Sequence, residues 1–351
     1  MTREEAIQAA RAAIGAGGRD DYIIQPTSHA GQLEAGAKAL AALLGRAEFA
    51  VLAQEYERKD KEANRNQALF KSTASRANWA VLLTACFSAL LLVAGTLAAV
   101  APVASGKALL VGLGVCGVLS GGLGAMWLIQ ARQGGLLKAW MSARAAAEAL
   151  RTQYFEAVTN ADPAGVVSAI PLPLLEFEYF RRYQFDVQMA YYEKRAEDHR
   201  RDADRLLGAS AAAAALAMIG AGLAAFLGLL GAAWVSIAVL GTVGTALSSF
   251  ASTKEAIGQS RQNSERYAKA RDALALLALR IDNIRTAAAD GEREALRQFV
   301  AAVHDQLSAE HHQWLATAES VEPALATLDA ALAKLSLKPP QQASAKSAAQ
   351  Q

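Results

Sequence analysis

The chain is short of charge, and the shortage is concentrated in a few stretches. Of its 351 residues only 19% are Asp, Glu, Lys or Arg, against 53% hydrophobic, whereas a soluble domain carries about 25% charged residues. Leu206 to Thr253 is a run of 48 residues without Asp, Glu, Lys, Arg or His, and Ala77 to Gly106 is a run of 30 without charge. Proline is scarce, at 8 residues, and few helix breakers among much Ala and Leu point to an all-α chain. The two cysteines, Cys86 and Cys116, sit inside apolar runs, which excludes a disulfide framework. A net charge of +2 argues against nucleic-acid binding by bulk charge. Met1–Ala10 is charged and has no apolar core, so no cleaved leader is expected. The chain has no Gly-x-Ser-x-Gly, no P-loop, no Cys-x-x-Cys and no His-Glu-x-x-His. It is expected not to be an enzyme and to need no cofactor or metal.

What is present is apolar length. As a single helix the 206–253 run would rise about 70 Å, against a bilayer core of about 30 Å, so it must fold back. Gly228-Leu229-Leu230-Gly231, followed by Trp234, marks the turn, and the spacing predicts spans at about 206–228 and 233–252. Upstream, Trp79–Val100 holds ten Leu, Val or Phe, contributing about −3 to −6 kcal/mol to insertion. Pro102 and Ser105-Gly106-Lys107 form a second turn, giving spans at about 78–100 and 108–130. No span carries an ionisable residue, which disfavours ion-coupled transport. Within about 20 residues of the span ends, nineteen Lys and Arg lie on one side of the bilayer, and Lys107 alone lies on the other. Both termini and the connection between hairpins are therefore expected in the cytoplasm.

The expected fold class is an all-α membrane protein: two transmembrane hairpins, four spans, with long cytoplasmic helical extensions. Residues 1–30 read as an N-terminal helix and loop, and 31–160 as a first unit. In that unit one helical pattern runs unbroken from Gln32 to Arg76 and on into the membrane. Residues 161–174 are a linker with Pro163, Pro171 and Pro173. Residues 175–336 form a second unit of the same layout, and 337–351 a disordered tail. The basic blocks 58–76 and 194–205 are interleaved with acids beside the spans, so the lipid bilayer, not nucleic acid, is the expected partner.

Two faces stand out within the spans. Gly114, Gly117, Gly121 and Gly124 recur at helical spacing, and bare backbones in lipid favour close helix approach. The overlapping Gly112-x-Gly114-x-x-Gly117 lacks a preceding strand and is read as packing, not as a dinucleotide site. Gly241, Thr245, Ser248 and Ser252 share one face of the last span. Hydroxyls in hydrocarbon need partners, and the face suits either an interhelical contact or the wall of an aqueous pore. His311-His312 is read as a surface pair.

Trp140-x-x-x-Arg144-x-x-x-Glu148-x-Leu150-Arg151-x-x-Tyr154, just after a two-span hairpin, resembles the signature of the SLATT family, the SMODS and SLOG-associating two-transmembrane effector domains of bacteria. Asp60-x-x-Ala63-x-x-x-Gln67-x-x-Phe70 before the first span is similar to one branch of it. Tyr179-x-x-Arg182, Gln188-x-x-Tyr191-Tyr192-x-Lys194, and Phe299-Val300 with Glu310-x-x-x-Trp314 resemble another, which suggests two units in tandem. After the second hairpin Tyr267-Ala-Lys-Ala-Arg271 stands in place of the Trp-x-x-x-Arg string. The resemblance implies a homo-oligomeric, pore-forming effector of anti-phage conflict systems in the bacterial inner membrane, triggered by a cytoplasmic nucleotide-signal sensor protein and ending in cell suicide. It implies no catalytic residues. A non-conducting membrane scaffold is the alternative.

Overall fold

The computed structural model describes residues 1–15, 17, 21–33, 35–100, 106–161, 165–166, 168–229, 237–318, 323, 325–328 and 330. Every regular element among them is helical. The turns at Pro102–Ser105 and around Trp234, the start of the 161–174 linker at Pro163, and the tail from 331 lie outside the described residues. By packing, the chain divides into two units that are not consecutive stretches. One is built from 1–70, 135–203 and 259–320, the other from 71–134, 204–258 and 321–351.

The first of these, the packed unit, holds a conventional core. Its opening helix α1 (Arg3–Ile14) starts at a capping box, where the Thr2 hydroxyl accepts from the Glu5 amide and Glu5 accepts from the Thr2 amide. It buries Ala6, Ala10, Ala13 and Ile14. The expected loop to residue 30 instead contains α2 (Pro26–Gln32), begun by Pro26 at the first turn, with His29 buried. The expected unbroken helix from Gln32 is also interrupted. A 3₁₀ turn at Ala35–Ala37 leads into α3 (Lys38–Leu44), which Gly45 ends before α4 (Ala47–Val100) begins.

At the centre lies α7 (Leu172–Phe180), opened by Pro171 and Pro173. Leu174, Leu175, Glu176, Phe177, Glu178, Tyr179 and Phe180 are all 0% exposed. A helix this apolar and this closed to water belongs inside a protein, and α7 is packed by α1, α3, α6 (Leu136–Asn160), α11 (Ile281–Ala289) and α12 (Arg293–Ala318). Its two acids are held by cations. Glu178 accepts from Arg285 Nε at 2.6 Å and Arg181 Nε at 2.8 Å, and Glu176 from Arg293 at 3.4 Å. Carboxylates buried without such partners would be strongly destabilising. Residues Arg181–Asp186 form a π-helical segment leading into α8 (Val187–Gly228). The polar-faced helix expected over Lys254–Ala288 is three pieces: the end of α9 (Ala238–Gly258), then α10 (Ser260–Ala278) after Gln259 at φ 50°, then α11. Gly291, at φ 88°, separates α11 from α12.

The second, apolar unit is inverted in character. Three stretches, within Ala47–Thr96, Gly106–Asn160 and Leu172–Gly228, are long and apolar enough to cross a membrane, yet their most apolar windows are only 28%, 6% and 11% buried. Val111, Val118, Leu119, Met218, Ile219 and Phe226 are each about 60–70% exposed. The described charge-free part of α9, Ala238 to Thr253, rises about 24 Å, short of a full crossing. Residues 233–236, the expected start of that span, lie outside the described residues.

Within this unit α4 packs on α5 (Gly106–Gln133), with Thr84 Oγ1 and Ser120 Oγ 3.0 Å apart and Gly121 against Thr84. The helices α8 and α9 approach much more closely. A Cβ placed on Gly220 would lie 2.5 Å from the Gly241 nitrogen, and one on Gly244 would lie 2.5 Å from the Ala217 nitrogen. The α4 and α9 helices meet where Asn78 Nδ2 donates to the Phe250 carbonyl at 3.0 Å and the Trp79 and Phe250 rings are 4.7 Å apart.

Candidate functional site

The helical spacing of Trp140, Arg144, Glu148 and Arg151 puts these side chains on one face of α6, and the packed unit turns that face inward. The Trp140 ring lies tilted against Phe70 of α4, with centroids 6.0 Å apart. Arg144 Nη1 donates to Asp60 Oδ1 at 3.0 Å, and Nη2 pairs with Glu148. The Arg144 pKa lies well above its ordinary value: burial, the largest influence, opposes the charge, but the Glu148 carboxylate and the Tyr22 and Tyr191 hydroxyls together outweigh it.

Arg151 goes further in. It is 0% exposed, and its fork is shared among neutral acceptors: Nε to Gln184 Oε1 at 2.6 Å, Nη2 to the Tyr183 carbonyl at 2.7 Å, and Nη1 to the Tyr22 carbonyl at 3.0 Å and the Tyr56 hydroxyl at 3.2 Å. The rings of Tyr22, Tyr56 and Phe155 lie 5.0, 5.6 and 5.5 Å from the guanidinium carbon. Dispersed carbonyls and π faces stand in for the hydration that this cation has lost. One step away, Tyr154 and Tyr179 share a hydrogen bond of 2.7 Å, and Tyr179 lies 2.9 Å from His29 Nδ1.

A second cluster gathers around Tyr192, which is 5% exposed. Its ring is stacked 5.9 Å from Tyr267 of α10 and edge-on, 5.7 Å away, to Tyr191, and its hydroxyl donates to Glu310 of α12 at 3.5 Å. His199 lies 5.6 Å from Tyr267. Burial drives both Tyr192 and Tyr267 well above the ordinary phenol value. Burial also raises Glu310 to about 7, against the pull of Arg266. Burial lowers Arg266 itself, and its Nη1 has no hydrogen-bond partner among the described residues. Trp314 lies on α12, where side chains from 311 onward are outside the description.

The two small-residue faces lie in the apolar unit. Gly117 faces Phe87 and Gly121 faces Thr84, while Gly114 has open space around it and Gly124 is buried. Gly241 meets Ala217 and Ala221 of α8. Thr245 donates back to the Gly241 carbonyl at 2.9 Å, and Ser248 and Ser252 lie 3.1 and 3.4 Å from Ser210 of α8. The glycine and hydroxyl faces therefore sit on different helix pairs.

Sequence reasoning missed the roles of Tyr22, Gln184, Arg266 and the buried pair Glu176 and Glu178. Only the last had a legible signal, two acids inside Leu172-Pro-Leu-Leu-Glu-Phe-Glu-Tyr-Phe180. The arrangement clamps helices together: charge pairs, shared hydroxyls and stacked rings tie α4, α6, α8, α10 and α12 to one another.

Residues 180–314 match the family model described as SMODS and SLOG-associating 2TM effector domain 1, SLATT_1. That segment takes in α8, α9, α10, α11, the Tyr192 cluster and most of α12. No curated protein and no solved structure matches the chain.

Proposed function

From the premise that the chain carries a SLATT-family effector domain, we propose that it is a four-span effector of the bacterial inner membrane. It assembles into homo-oligomers and permeabilises the bilayer when a cytoplasmic sensor of a conflict system signals. The observation that carries this reading is the apolar unit's surface, where Val118 and Met218 are 69% and 70% exposed. Only lipid or a further copy of such a helix covers that much hydrocarbon without cost. The first hairpin is a second unit of the same layout, the termini and the 161–174 connection face the cytoplasm, and the effector acts without covalent chemistry.

A non-conducting scaffold is favoured by one specific observation: Ser248 and Ser252 are engaged by Ser210 of the same chain, which leaves the hydroxyl face less free to wet a pore. Two measurements decide. Alkaline carbonate extraction is expected to leave the chain in the membrane pellet, and release into the supernatant overturns the span assignment. Induced expression with a membrane-potential dye is expected to show depolarisation with the cognate sensor gene present. Intact potential under every trigger sinks the pore and leaves the scaffold.

A further inference from the structure

The charge-free runs of α4 and α9 each have a sharp polar boundary, and the structure sets the two boundaries side by side. On α4 the last charge before the apolar run is Arg76, and on α9 the first charge after it is Lys254. Between them lies the contact made by Asn78 and Trp79 with Phe250. Residues three or four apart on a helix are stacked neighbours, so Arg76 sits over Trp79 on α4 and Lys254 over Phe250 on α9. The touching rings of Trp79 and Phe250, 4.7 Å between centroids, thus join two columns, each topped by a cation. The two helices run antiparallel here, since only then do both apolar runs lie on the same side of the contact.

Both cations are exposed, and neither has an ion-pair partner among the described residues. Glu255, the acid next to Lys254, has its Oε2 buried. Trp79 is 52% exposed, the position of an indole at the level where headgroups meet acyl chains. The result is a notch with two unneutralised cations above an aromatic floor. It complements a molecule with a phosphate at one end and hydrocarbon at the other.

We infer that Arg76 and Lys254, flanking the Trp79–Phe250 contact, hold the phosphate of an anionic phospholipid, whose upper acyl carbons lie against the two rings. The inference rests on the membrane-spanning reading above. The notch selects for net negative charge, because a zwitterionic headgroup brings its own cation to the two already there.

The test uses the full chain with Trp79 as its only tryptophan, the other four replaced by Phe, reconstituted in phosphatidylcholine vesicles holding a minor fraction of phosphatidylglycerol. Either lipid is supplied with bromine on its upper acyl carbons, and quenching of Trp79 emission reports which lipid is adjacent. Brominated phosphatidylglycerol is expected to quench as though enriched about fivefold for each cation over its bulk fraction. Arg76→Gln with Lys254→Gln is expected to bring the enrichment to one, while brominated phosphatidylcholine still quenches. Equal quenching per mole by the two lipids in the unaltered pair overturns the headgroup site alone. Quenching by neither lipid overturns the membrane-spanning reading instead. Loss of enrichment in inorganic phosphate, against a chloride control of equal ionic strength, shows a site for free anion and also overturns the proposal.

Discussion

Arg151 Nε donates to Gln184 Oε1 at 2.6 Å in a place fully closed to water. The cation has no carboxylate in its hydrogen-bond set; two backbone carbonyls, an amide oxygen and a phenol share it. Arg151→Ala would remove a donor from each of the Tyr22 and Tyr183 carbonyls and leave a large void. The expected loss is about 3–5 kcal/mol of stability in the packed unit. Arg151→Lys does not restore it, since an ammonium lacks the planar fork. Thermal and urea unfolding in detergent, followed by near-UV dichroism, measure this, and a loss below about 1 kcal/mol for Arg151→Ala would contradict the assignment.

The α8–α9 crossing tolerates no side chain at two glycines. Gly220→Ala and Gly244→Ala each place a methyl 2.5 Å from a backbone nitrogen of the opposite helix, and about 1–3 kcal/mol of destabilisation is expected as the helices separate. Gly222, two residues along α8, has nothing within 4 Å of such a methyl. Gly222→Ala should be neutral or stabilising by up to about 1 kcal/mol through helix propensity. Midpoints for the three variants in one detergent make the comparison, and equal effects would refute the close crossing.

Two buried groups tilt the pH dependence in opposite senses. Burial raises Glu310 from 4.5 to about 7, so between those values the folded chain holds a proton that the unfolded chain releases. Its contribution to stability falls as pH rises through that window. His29 is lowered from 6.5 to about 4 by burial, with Arg182 adding and Asp21 opposing. It is neutral when folded, and its contribution is complete above 6.5 and lost as pH falls toward 4. Glu310→Gln should therefore leave a midpoint that rises from pH 5 to pH 7, and His29→Gln one that falls. The same slope in both variants would show that the two groups do not govern it.

Asn78 is 4% exposed, and its amide donates to the Phe250 carbonyl. Hydrogen bonds between membrane helices contribute about 0.6–1.7 kcal/mol. Asn78→Ala should cost that much, and a red shift of Trp79 emission should accompany it as the ring contact loosens. Unchanged emission together with an unchanged midpoint would remove the α4–α9 contact from the description.

Much of the apolar unit was legible because charge-free length is a one-dimensional signal: α4, the α5 hairpin and α8 follow from where Arg and Lys stop. The packed unit was not, because its core is assembled from sequence-distant helices. Periodicity marks an apolar face on α1 but does not say that Ala6 and Ile14 share a core with Phe299. The pattern around Leu175 reads as an amphipathic helix when Glu176 and Glu178 are counted as its wet side. Both are dry, since Arg285 and Arg293, more than a hundred positions away, come to meet them. Arg151 was marked by the family pattern, yet nothing local announces that Gln184 and the Tyr22 carbonyl will receive it.

That core has a consequence for biosynthesis. It draws on Ala6 near the start of the chain and on Phe299 and Val303 near its end, with α7 between them. A ribosome delivers these in order, so the first helices must wait, incompletely covered, until every greasy segment has already been made. On the membrane-spanning reading proposed above, insertion precedes closure, and a chain cut short after the last apolar segment reaches the bilayer with its packed unit unfinished.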